Sequence, residues 1–580
     1  MKALLLGNAA VARGLYEAGC CVVSSYPGTP SSEITQSVSE YDEIYSEWAS
    51  NEKVAMEVAF GAAVAGKRSF TGMKHVGLNV AADPLFTISY TGINAGMVIA
   101  VADDPGMHSS QNEQDSRHYA KAAKLPMLEP ADSAECLEFT KYAYEISEKY
   151  DTPVMIHMCT RIAHSQSIVE MSDRVESTAV GYVKDTPKYV MMPGFAKARH
   201  VVVEQRMLDL KALAEETVLN RVEKGGTEMG IIASGTAYQY VKEAFGDGVS
   251  VLKLGMAHPL PEKLIREFAA SVKKLVVVEE MDSVIEDHCR KLGLEVTGKD
   301  VFPLVGELSQ NLVAEKLGIP VIKGPFDEGG VGDAIPQRPP VMCAGCSHRG
   351  LFYVLSKKKV TVLGDIGCYT LGAMPPLSSI DTTLCMGASV SGLHGFVHGG
   401  GKNCVCVIGD STFIHTGVNG LIDISYNGSD STVIILDNST TGMTGHQDNP
   451  TTGYNIKGEP AGKIDLETLC KAIGIKRVRV IDPYDLKACE DAVTEEMAAP
   501  GPSVIIARRP CALLKTTKAK PPLAVNRDKC TGCKMCMKIG CPAISMRDKK
   551  ADINQTLCVG CDVCVQLCRF DAFMKPGKGV

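Results

Sequence analysis

Cysteines grouped near the C-terminus have the clearest metal chemistry in this sequence. Eight of the 22 cysteines fall between residues 530 and 568, and most neighbours within the group are separated by two residues. Thiolates at such short spacing can bind one metal centre together, either an iron–sulfur cluster or a structural zinc ion. A doubled C-x-x-C-x-x-C run favours two four-iron clusters over zinc. The eight are Cys530, Cys533, Cys536, Cys541, Cys558, Cys561, Cys564 and Cys568.

The doubled run resembles bacterial two-cluster ferredoxins, in which the last cysteine of each run binds the cluster of the other run. It departs from that pattern in two places, because four residues instead of three precede Cys541 and Arg569 replaces the usual proline. We expect these changes to alter reduction potentials without altering ligation. The resemblance implies one cluster on Cys530, Cys533, Cys536 and Cys568 and another on Cys558, Cys561, Cys564 and Cys541.

A second motif offers oxygen ligands at two strand ends. The run CVCVIGDS is followed, after 25 residues, by the end of the run VIILDN. Mg²⁺ requires oxygen ligands in octahedral geometry and keeps phosphate oxygens among its partners. Asp410, the Asn438 side chain and the Thr440 carbonyl are the predicted ligands, and residues 412–417 are predicted to wrap a diphosphate at a helix start. The alternative is an ordinary turn, since Gly-Asp is common at strand ends.

This motif resembles the thiamine diphosphate signature, usually GDG followed some 25 residues later by NN. Ser411 replaces the second glycine and Asp437 replaces the first asparagine. A methionine in CMGASVSG resembles the apolar residue that supports the bent cofactor, although a core methionine is the alternative. The residues that the resemblance assigns to the cofactor here are Met386, Gly409, Asp410, Ser411, Thr412, Asn438 and Thr440.

An acidic residue at a helix start is the predicted catalytic group. In NEKVAMEVAFGAAVAG, Glu52 begins a helix rich in alanine and glycine. Thiamine enzymes place a glutamate at this position, where it hydrogen-bonds N1′ of the aminopyrimidine, so the resemblance assigns that role to Glu52. A carboxylate that only stabilises the helix dipole is the alternative. That role fits Glu57 better, because Glu57 lies deeper in the helix.

Three further side chains are candidates for the substrate pocket. Thr29, in YPGTPSSE, resembles a residue that related enzymes direct at the substrate carbonyl, but it also fits a plain turn. His75, in MKHVGLN, and His108, in GMHSSQ, are candidates because imidazole can act as an acid or a donor near neutral pH. A purely structural role is the alternative for both histidines.

The resemblance extends over the whole chain through SSYPGTPSSEI, GMKHVGLNVAADPL, DDPGMHSSQNEQDSR and RPPVMCAGCSHRG. The chain is similar to the 2-oxoacid:ferredoxin oxidoreductases, in particular to the large (alpha) subunits of the indolepyruvate:ferredoxin oxidoreductases. The resemblance implies oxidative decarboxylation of indolepyruvate, phenylpyruvate or hydroxyphenylpyruvate to an arylacetyl-CoA, with reduction of ferredoxin. Pyruvate, a branched-chain 2-oxoacid or 2-oxoglutarate is the alternative substrate. A non-oxidative thiamine decarboxylase and an electron-transfer subunit are alternatives from other classes.

The family also implies particular cofactors and partners. Thiamine diphosphate, Mg²⁺ and two C-terminal 4Fe-4S clusters are expected, together with a small beta subunit, ferredoxin and coenzyme A. We expect a hetero-oligomer that contains a dimer of this chain. A possible third 4Fe-4S cluster near the thiamine would use a C-x-x-C, a strand-end cysteine and a late cysteine, against the alternative of buried structural thiols. These four are Cys343, Cys346, Cys368 and Cys511.

The strands and helices that position these residues are predicted from alternating patterns along the chain. These patterns predict an α/β protein with three doubly wound parallel-sheet domains and a C-terminal two-cluster ferredoxin-like domain. The boundaries are 1–190, 193–336, 337–514, a linker at 515–526, and 527–580. The resemblance implies that these domains are, in order, pyrimidine-binding, transketolase C-terminal-like, diphosphate-binding and, after the linker, ferredoxin-like. The N-terminal apolar run is predicted to be a buried first strand. The net charge of -7 and the absence of a basic stripe or long apolar run favour a cytoplasmic protein without nucleic-acid or membrane partners.

Overall fold

The computed structural model describes residues 1–176, 180–321, 336 and 339–575. The chain forms two compact units, Met1–Ile335 and Pro336–Val580. The proline-rich joint AIPQRPP, at which the second predicted domain ends, lies largely outside the described residues. None of the helices in the described part of the chain is both long and apolar enough to cross a bilayer.

The first unit contains thirteen described strands. They are β1 (Lys2–Leu6), β2 (Val22–Ser25), β3 (Tyr45–Trp48), β4 (Ser69–Lys74), β5 (Met97–Asp103), β6 (Met127–Leu128), β7 (Val154–Cys159), β8 (Gln166–Glu170), β9 (Arg221–Glu223), β10 (Met229–Ser234), β11 (Ser250–Leu254), β12 (Met256–His258) and β13 (Lys274–Val278).

Fourteen described helices connect and cover these strands. They are α1 (Gly7–Glu17), α2 (Ser32–Val38), α3 (Glu52–Val64), α4 (His75–Val80), α5 (Ala82–Thr91), α6 (Arg117–Ala123), α7 (Ser133–Tyr150), α8 (Thr160–His164), α9 (Thr186–Tyr189), α10 (Pro193–Glu216), α11 (Gly235–Phe245), α12 (Glu262–Ala270), α13 (Val284–Lys291) and α14 (Gln310–Lys316).

Two sheets organise the first unit. The larger has the order β12-β6-β7-β5-β4-β2-β3, and its strands are parallel except for β12. The smaller has the order β13-β10-β11-β9, in which only β9 is antiparallel. Strands β4, β5 and β7 are buried along their whole length, as expected where helices cover both faces of a parallel sheet.

The prediction of a buried first strand is wrong. Strand β1 pairs antiparallel with β8, outside the seven-stranded sheet. Its side chains alternate between exposed and half-buried, and Leu4 is 60% exposed. An edge pair covered on one face needs only every second side chain to be apolar, so the apolar run KALLL does not report burial here.

The second unit contains a parallel α/β domain followed by a small two-cluster domain. Its elements are α15 (Arg349–Lys358), β14 (Thr361–Leu363), α16 (Ala388–His398), β15 (Cys404–Gly409), α17 (Asp410–Thr412), α18 (Val418–Asn427), β16 (Thr432–Asp437), α19 (Leu466–Ala472), β17 (Arg477–Ile481), α20 (Leu486–Ala498), β18 (Ser503–Arg508), β19 (Ala524–Val525), β20 (Ile544–Arg547), β21 (Lys550–Ile553) and β22 (Phe573–Met574).

The sheet of the second unit is fully parallel, with the order β14-β15-β16-β18-β17. Strands β15 and β16 are buried over their full length, so their polar ends mark the edge at which the chain can present chemistry. In the segment predicted to be a linker, Leu523 is buried and β19 pairs with β22. That segment therefore contributes to the packed structure of the two-cluster domain.

Candidate functional site

Oxygen ligands meet at the carboxyl edge of the second unit's sheet. Asp410 follows β15 directly and Asn438 follows the adjacent parallel strand β16. Asp410 is only 2% exposed, and it accepts a 3.2 Å hydrogen bond from the Thr451 hydroxyl. Burial, reinforced by the charge of Asp437, raises the pKa of Asp410 to about 7. A cation bound beside this carboxyl group would stabilise its charged form and lower its pKa again.

The Asn438 amide completes a set of donors that suits Mg²⁺. One terminal atom of this amide lies 3.2 Å from Asp410 Oδ1 and 2.7 Å from the Thr440 carbonyl oxygen. The amide nitrogen can donate to both oxygens, and a rotation of the amide presents its oxygen instead. Adjacent oxygens of an octahedral Mg²⁺ site are about 3 Å apart, since each lies about 2.1 Å from the ion. The spacing of these three groups therefore fits the predicted ligand set.

The chain after Asp410 forms an interrupted helix. Residues Asp410–Thr412 start it, Phe413–Gly417 form a wide π-type turn, and α18 continues it. Such turns recur at functional sites because they break the regular hydrogen-bond ladder. Ser411 accepts a hydrogen bond of 3.0 Å from the Thr441 hydroxyl, and the Thr412 hydroxyl donates to the Ile366 carbonyl at 3.1 Å. The predicted diphosphate loop is thus tied to two neighbouring loops.

Asp365 belongs to this site although the sequence analysis did not identify it. Its buried carboxylate accepts backbone N–H bonds of 2.9 Å from both Gly387 and Ser389. It thereby fixes the loop that carries Met386, whose carbonyl also accepts a bond from the Thr416 hydroxyl at 2.7 Å. The Met386 side chain is half-buried. The signal that could have identified Asp365 is the strand-end Gly-Asp of LGDIG, which repeats that of CVCVIGDS.

The first unit holds the predicted catalytic glutamate in a buried position. Asn51 caps α3 by accepting the Val54 N–H at 2.9 Å, which places Glu52 in the first turn, where it is 4% exposed. A methyl group on Gly77 of α4 would lie 2.6 Å from Glu52 Cγ, so this close contact requires glycine. Glu57, by contrast, is exposed and pairs with Lys53.

The structure brings Thr29 and His75 to the same region as α4. The turn of Thr29 follows β2, and a methyl group on the preceding Gly28 would lie 3.0 Å from Lys74 Cβ. His75 begins α4, is completely buried, and has Nε2 3.2 Å from the Asn112 carbonyl. Burial lowers the pKa of His75, which favours the neutral imidazole. His108 is exposed and contacts Glu307 at 3.2 Å.

The eight C-terminal cysteines separate into two groups of four. One cavity is lined by Cys530, Cys533, Cys536 and Cys568, and another by Cys541, Cys558, Cys561 and Cys564. We refer to them as the Cys530 group and the Cys541 group. Burial, and then the neighbouring thiols of the Cys541 group, raise the pKa of Cys564. These are the two sets that the ferredoxin resemblance implies.

The spacing of the thiols distinguishes between zinc and larger clusters. Four thiolates around one zinc ion lie about 3.8 Å apart, because each Zn–S bond is about 2.3 Å long. Among the described residues, the groups of three ligand-type side chains with ligand atoms within 4.8 Å of one another contain no cysteine. The wider arrangement suits a four-iron cluster better than a closed zinc site.

Four other cysteines adjoin the oxygen ligands, and we call Cys343, Cys346, Cys368 and Cys511 the proximal cysteines. Burial, with smaller contributions from Cys511 and Cys343, raises the pKa of Cys368 to about 11. The Cys511 N–H donates to the Asn438 carbonyl at 2.9 Å. A methyl group on Gly442 would lie 3.4 Å from Cys368 Sγ and 3.7 Å from the Asn438 amide. The proximal cysteines thus converge next to the predicted magnesium ligands.

The loop between two proximal cysteines interlocks with the Cys541 group. Gly345, between Cys343 and Cys346, has φ +67, and a methyl group there would lie 2.1 Å from Val559 Cγ2, between Cys558 and Cys561. The Tyr484 hydroxyl donates to the Gly345 carbonyl. Glycine is required at residue 345 both by the left-handed backbone and by this contact.

A separate group of ligand-type side chains lies in the first unit. Asp103, Asp115 and His157 have ligand atoms within 4.8 Å of one another and are all buried. Burial alone would lower the pKa of His157, but the charge of Asp103 and hydrogen bonds to Asp103 and Glu129 raise it to about 10. A protonated imidazole cannot bind a metal. The contacts of His157 with Asp103 at 2.8 Å and with Glu129 at 3.0 Å join the group into a buried ionic network.

Three family models match separate parts of the chain. The family model "Pyruvate flavodoxin/ferredoxin oxidoreductase, thiamine diP-bdg" matches residues 13–222. The model "Thiamine pyrophosphate enzyme, C-terminal TPP binding domain" matches 365–507, and "4Fe-4S dicluster domain" matches 523–569. These matches confirm the predicted fold class, with its thiamine-binding α/β domains and C-terminal ferredoxin-like domain.

Curated relatives match either the full chain or about half of it. Indolepyruvate oxidoreductase subunit IorA of Archaeoglobus fulgidus is 41% identical over 100% of this chain and 98% of its own. Ketoisovalerate oxidoreductase subunit VorB of Methanothermobacter marburgensis is 26% identical over 53% of this chain and 94% of its own. A solved structure of a 2-oxoglutarate:ferredoxin oxidoreductase from Magnetococcus marinus aligns at 18% identity over 55% of this chain and 65% of that chain. The TM-score of this alignment is 0.47.

Proposed function

The chain belongs to the indolepyruvate oxidoreductase IorA family, within the 2-oxoacid:ferredoxin oxidoreductases, and we propose that it oxidises arylpyruvates to arylacetyl-CoA. In the proposed reaction, the bond between the carboxylate and keto carbons breaks and CO₂ leaves. The coenzyme A sulfur bonds to the former keto carbon, one proton is released, and two electrons reduce two ferredoxins. Indolepyruvate, phenylpyruvate and hydroxyphenylpyruvate are the proposed substrates.

Each predicted residue has a role in this proposal. Bound thiamine diphosphate supplies the stabilisation of carbon-centred negative charge that decarboxylation requires. The Glu52 carboxylate exchanges a proton with N1′ of the aminopyrimidine. In this proposal the Thr29 hydroxyl donates to the substrate and Met386 supports the cofactor. The Nε2–H of neutral His75 donates to the Asn112 carbonyl, so its Nδ1 is available to the substrate only as an acceptor. Asp410, Asn438 and the Thr440 carbonyl bind Mg²⁺, while Gly409, Ser411 and Thr412 line the diphosphate site.

One observation supports the oxidative reaction in particular. The Cys511 N–H donates to the carbonyl of Asn438, so a thiol that can bind iron adjoins an amide that can bind Mg²⁺. An electron acceptor on the proximal cysteines would then lie directly beside the diphosphate site. We therefore propose a third 4Fe-4S cluster on these cysteines, in addition to those of the 4Fe-4S dicluster domain.

The third cluster is tested by iron analysis of anaerobically prepared protein. We expect about twelve iron atoms per chain, four for each cluster. Replacing both Cys343 and Cys346 with serine should lower the content to about eight. The control is Cys385→Ser, which changes an exposed thiol outside the three groups and should keep twelve. A wild-type content of eight that the double replacement leaves unchanged would contradict the third cluster.

The substrate and partners are tested together. We propose a small beta subunit as partner, since the relative in Archaeoglobus fulgidus is named as a subunit of an oxidoreductase. The chain alone and the chain purified with this partner are assayed for methyl viologen reduction with a panel of 2-oxoacids, with and without coenzyme A. We expect arylpyruvates to be preferred, with activity that requires both the partner and coenzyme A. Preference for pyruvate, a branched-chain 2-oxoacid or 2-oxoglutarate would contradict the proposed substrate class.

A further inference from the structure

Arg349, at the start of α15, joins two metal-binding loops of the second unit. Its Nη2 donates to the carbonyls of Met342 and Cys343, at 2.5 Å and 3.0 Å. Its Nη1 donates to the carbonyls of Ile539 and Gly540, at 3.1 Å and 2.6 Å. One guanidinium thus spans the backbone at a proximal cysteine and the backbone immediately before Cys541.

This guanidinium is buried without a counter-charge in the described polypeptide. Arg349 is 5% exposed, and its Nε has no hydrogen-bond partner. No carboxylate of the described residues lies within 4.0 Å of the guanidinium nitrogens. All four hydrogen-bond acceptors are backbone carbonyls. A buried charge is expensive unless an opposite charge compensates it. Such a cation indicates that a group with net negative charge, other than a carboxylate of the described residues, belongs here.

The lining of the neighbouring cavity identifies the source of that charge. Arg349 lines the same cavity as all four thiols of the Cys541 group, and the proximal Cys346 lines it too. A four-iron cluster on four thiolates is an anion, and each added electron makes it more negative. The guanidinium is therefore placed to compensate two clusters through one fixed charge.

We propose that Arg349 is a positioning residue that holds the proximal loop against the Cys541 loop and stabilises the reduced states of the clusters bound there. The inference rests on the proposed proximal cluster. Arginine suits this role because its planar fork can donate to several carbonyls at once and it remains charged at any working pH. Without the positive charge, reduction of either cluster should become less favourable.

The test is a dye-mediated redox titration of the anaerobic holoprotein, followed by electron paramagnetic resonance, with iron content measured in parallel. Arg349→Gln removes the charge but keeps donors, and Arg349→Lys keeps the charge. Arg547→Gln is the control, because Arg547 is an exposed arginine within the two-cluster domain.

In Arg349→Gln, at a fixed potential, we expect an about tenfold fall in the ratio of reduced to oxidised cluster. This corresponds to about 59 mV for one electron, and it should affect the two clusters that Arg349 adjoins more than the Cys530 group. Arg349→Lys should retain most of the wild-type midpoint potentials, and Arg547→Gln all of them. Unchanged potentials in Arg349→Gln with full iron content would overturn the proposal.

The lysine variant keeps the proposal testable if the glutamine variant loses iron. Arg349→Lys with full iron content should keep the wild-type midpoint potentials. A fall of about 59 mV or more in that variant would overturn the electrostatic role, because the charge would then be irrelevant. Wild-type protein with only eight irons and no third paramagnetic signal is a separate outcome. It would remove the proximal cluster itself, and with it the premise on which this inference rests.

Discussion

A buried guanidinium occurs in each of the two units, but their surroundings differ: one is paired with carboxylates and the other is not. In the first unit, Arg117 is 2% exposed and forms ion pairs with Asp115 at 2.6 Å and Glu279 at 2.7 Å. Burial would raise the pKa of Asp115, but the charge and hydrogen bonds of Arg117 lower it to about 2. In the second unit, Arg349 meets only backbone carbonyls.

The difference separates a structural charge from a charge placed for a cofactor. The charge of Arg117 is balanced by carboxylates of the chain itself. Glu279 lies just after β13, and Asp115 lies just before α6. The network therefore fastens the smaller sheet of the first unit to the larger one. Arg349 has only carbonyl acceptors among the described residues, as expected if its charge compensates the proposed clusters.

The largest expected effect is on turnover and concerns Glu52. It tests whether this buried carboxyl group of the first unit acts in the chemistry, unlike the structural network of Arg117. Glu52→Gln should lower turnover by about 10² to 10⁴, because glutamine cannot exchange a proton with N1′. Stability should change little, which is measured by urea unfolding followed through the fluorescence of Trp48, the single tryptophan, in β3. Glu57→Gln, at the exposed position of the same helix, should retain turnover. Near-normal turnover in Glu52→Gln would remove Glu52 from the chemistry.

The next effect tests whether the Arg117 network is complete in itself. Arg117→Met should destabilise the first unit by about 3 to 5 kcal/mol, because it leaves buried carboxylates unpaired. The free energy of unfolding is measured through Trp48 fluorescence. Adding Asp115→Asn and Glu279→Gln to Arg117→Met should recover part of the loss, since the remaining groups are then neutral. A triple variant less stable than Arg117→Met would show that charge balance is not what the network provides.

A smaller effect concerns the pH dependence of the same network. The folded-state pKa of His157 is raised to about 10, against about 6.5 for an unperturbed histidine. Its contribution to stability is therefore fully present below about pH 6.5 and is lost as the pH rises toward 10. Between these limits we expect wild-type stability to fall by on the order of 4 kcal/mol. His157→Gln should be less stable at pH 6.5 and should show a flatter profile. Parallel profiles for the two proteins would count against a protonated His157.

The sequence alone predicts a feature of the fold or of the candidate site when the residues that determine it are neighbours in the chain. The capped start of α3, the polar ends of β15 and β16, and the doubled cysteine run are each contained in a short segment. Their chemistry could be inferred because ligand spacing and helix starts are properties of neighbouring residues. The fold class followed from alternating strand and helix patterns for the same reason.

The remaining features depend on contacts between distant segments. Arg349 is unremarkable in CSHRG until its side chain is seen among carbonyls about 190 residues away. Arg117 and Glu279 come from different predicted domains and carry no shared pattern. The exposure of β1 depends on its partner β8, more than 160 residues later. None of these could be predicted from periodicity, which reports one element at a time.

The contact between Gly345 and Val559 also has a kinetic consequence. It places a loop of the ferredoxin-like domain permanently against the loop of two proximal cysteines, as part of one covalent chain. Two separate proteins would have to collide before electrons could pass between them, whereas tethered partners meet at an effective concentration that dilution does not change. With the proposed cluster bound on the proximal cysteines, dilution would slow the encounters with the 2-oxoacid and with free ferredoxin, but not electron transfer across this contact.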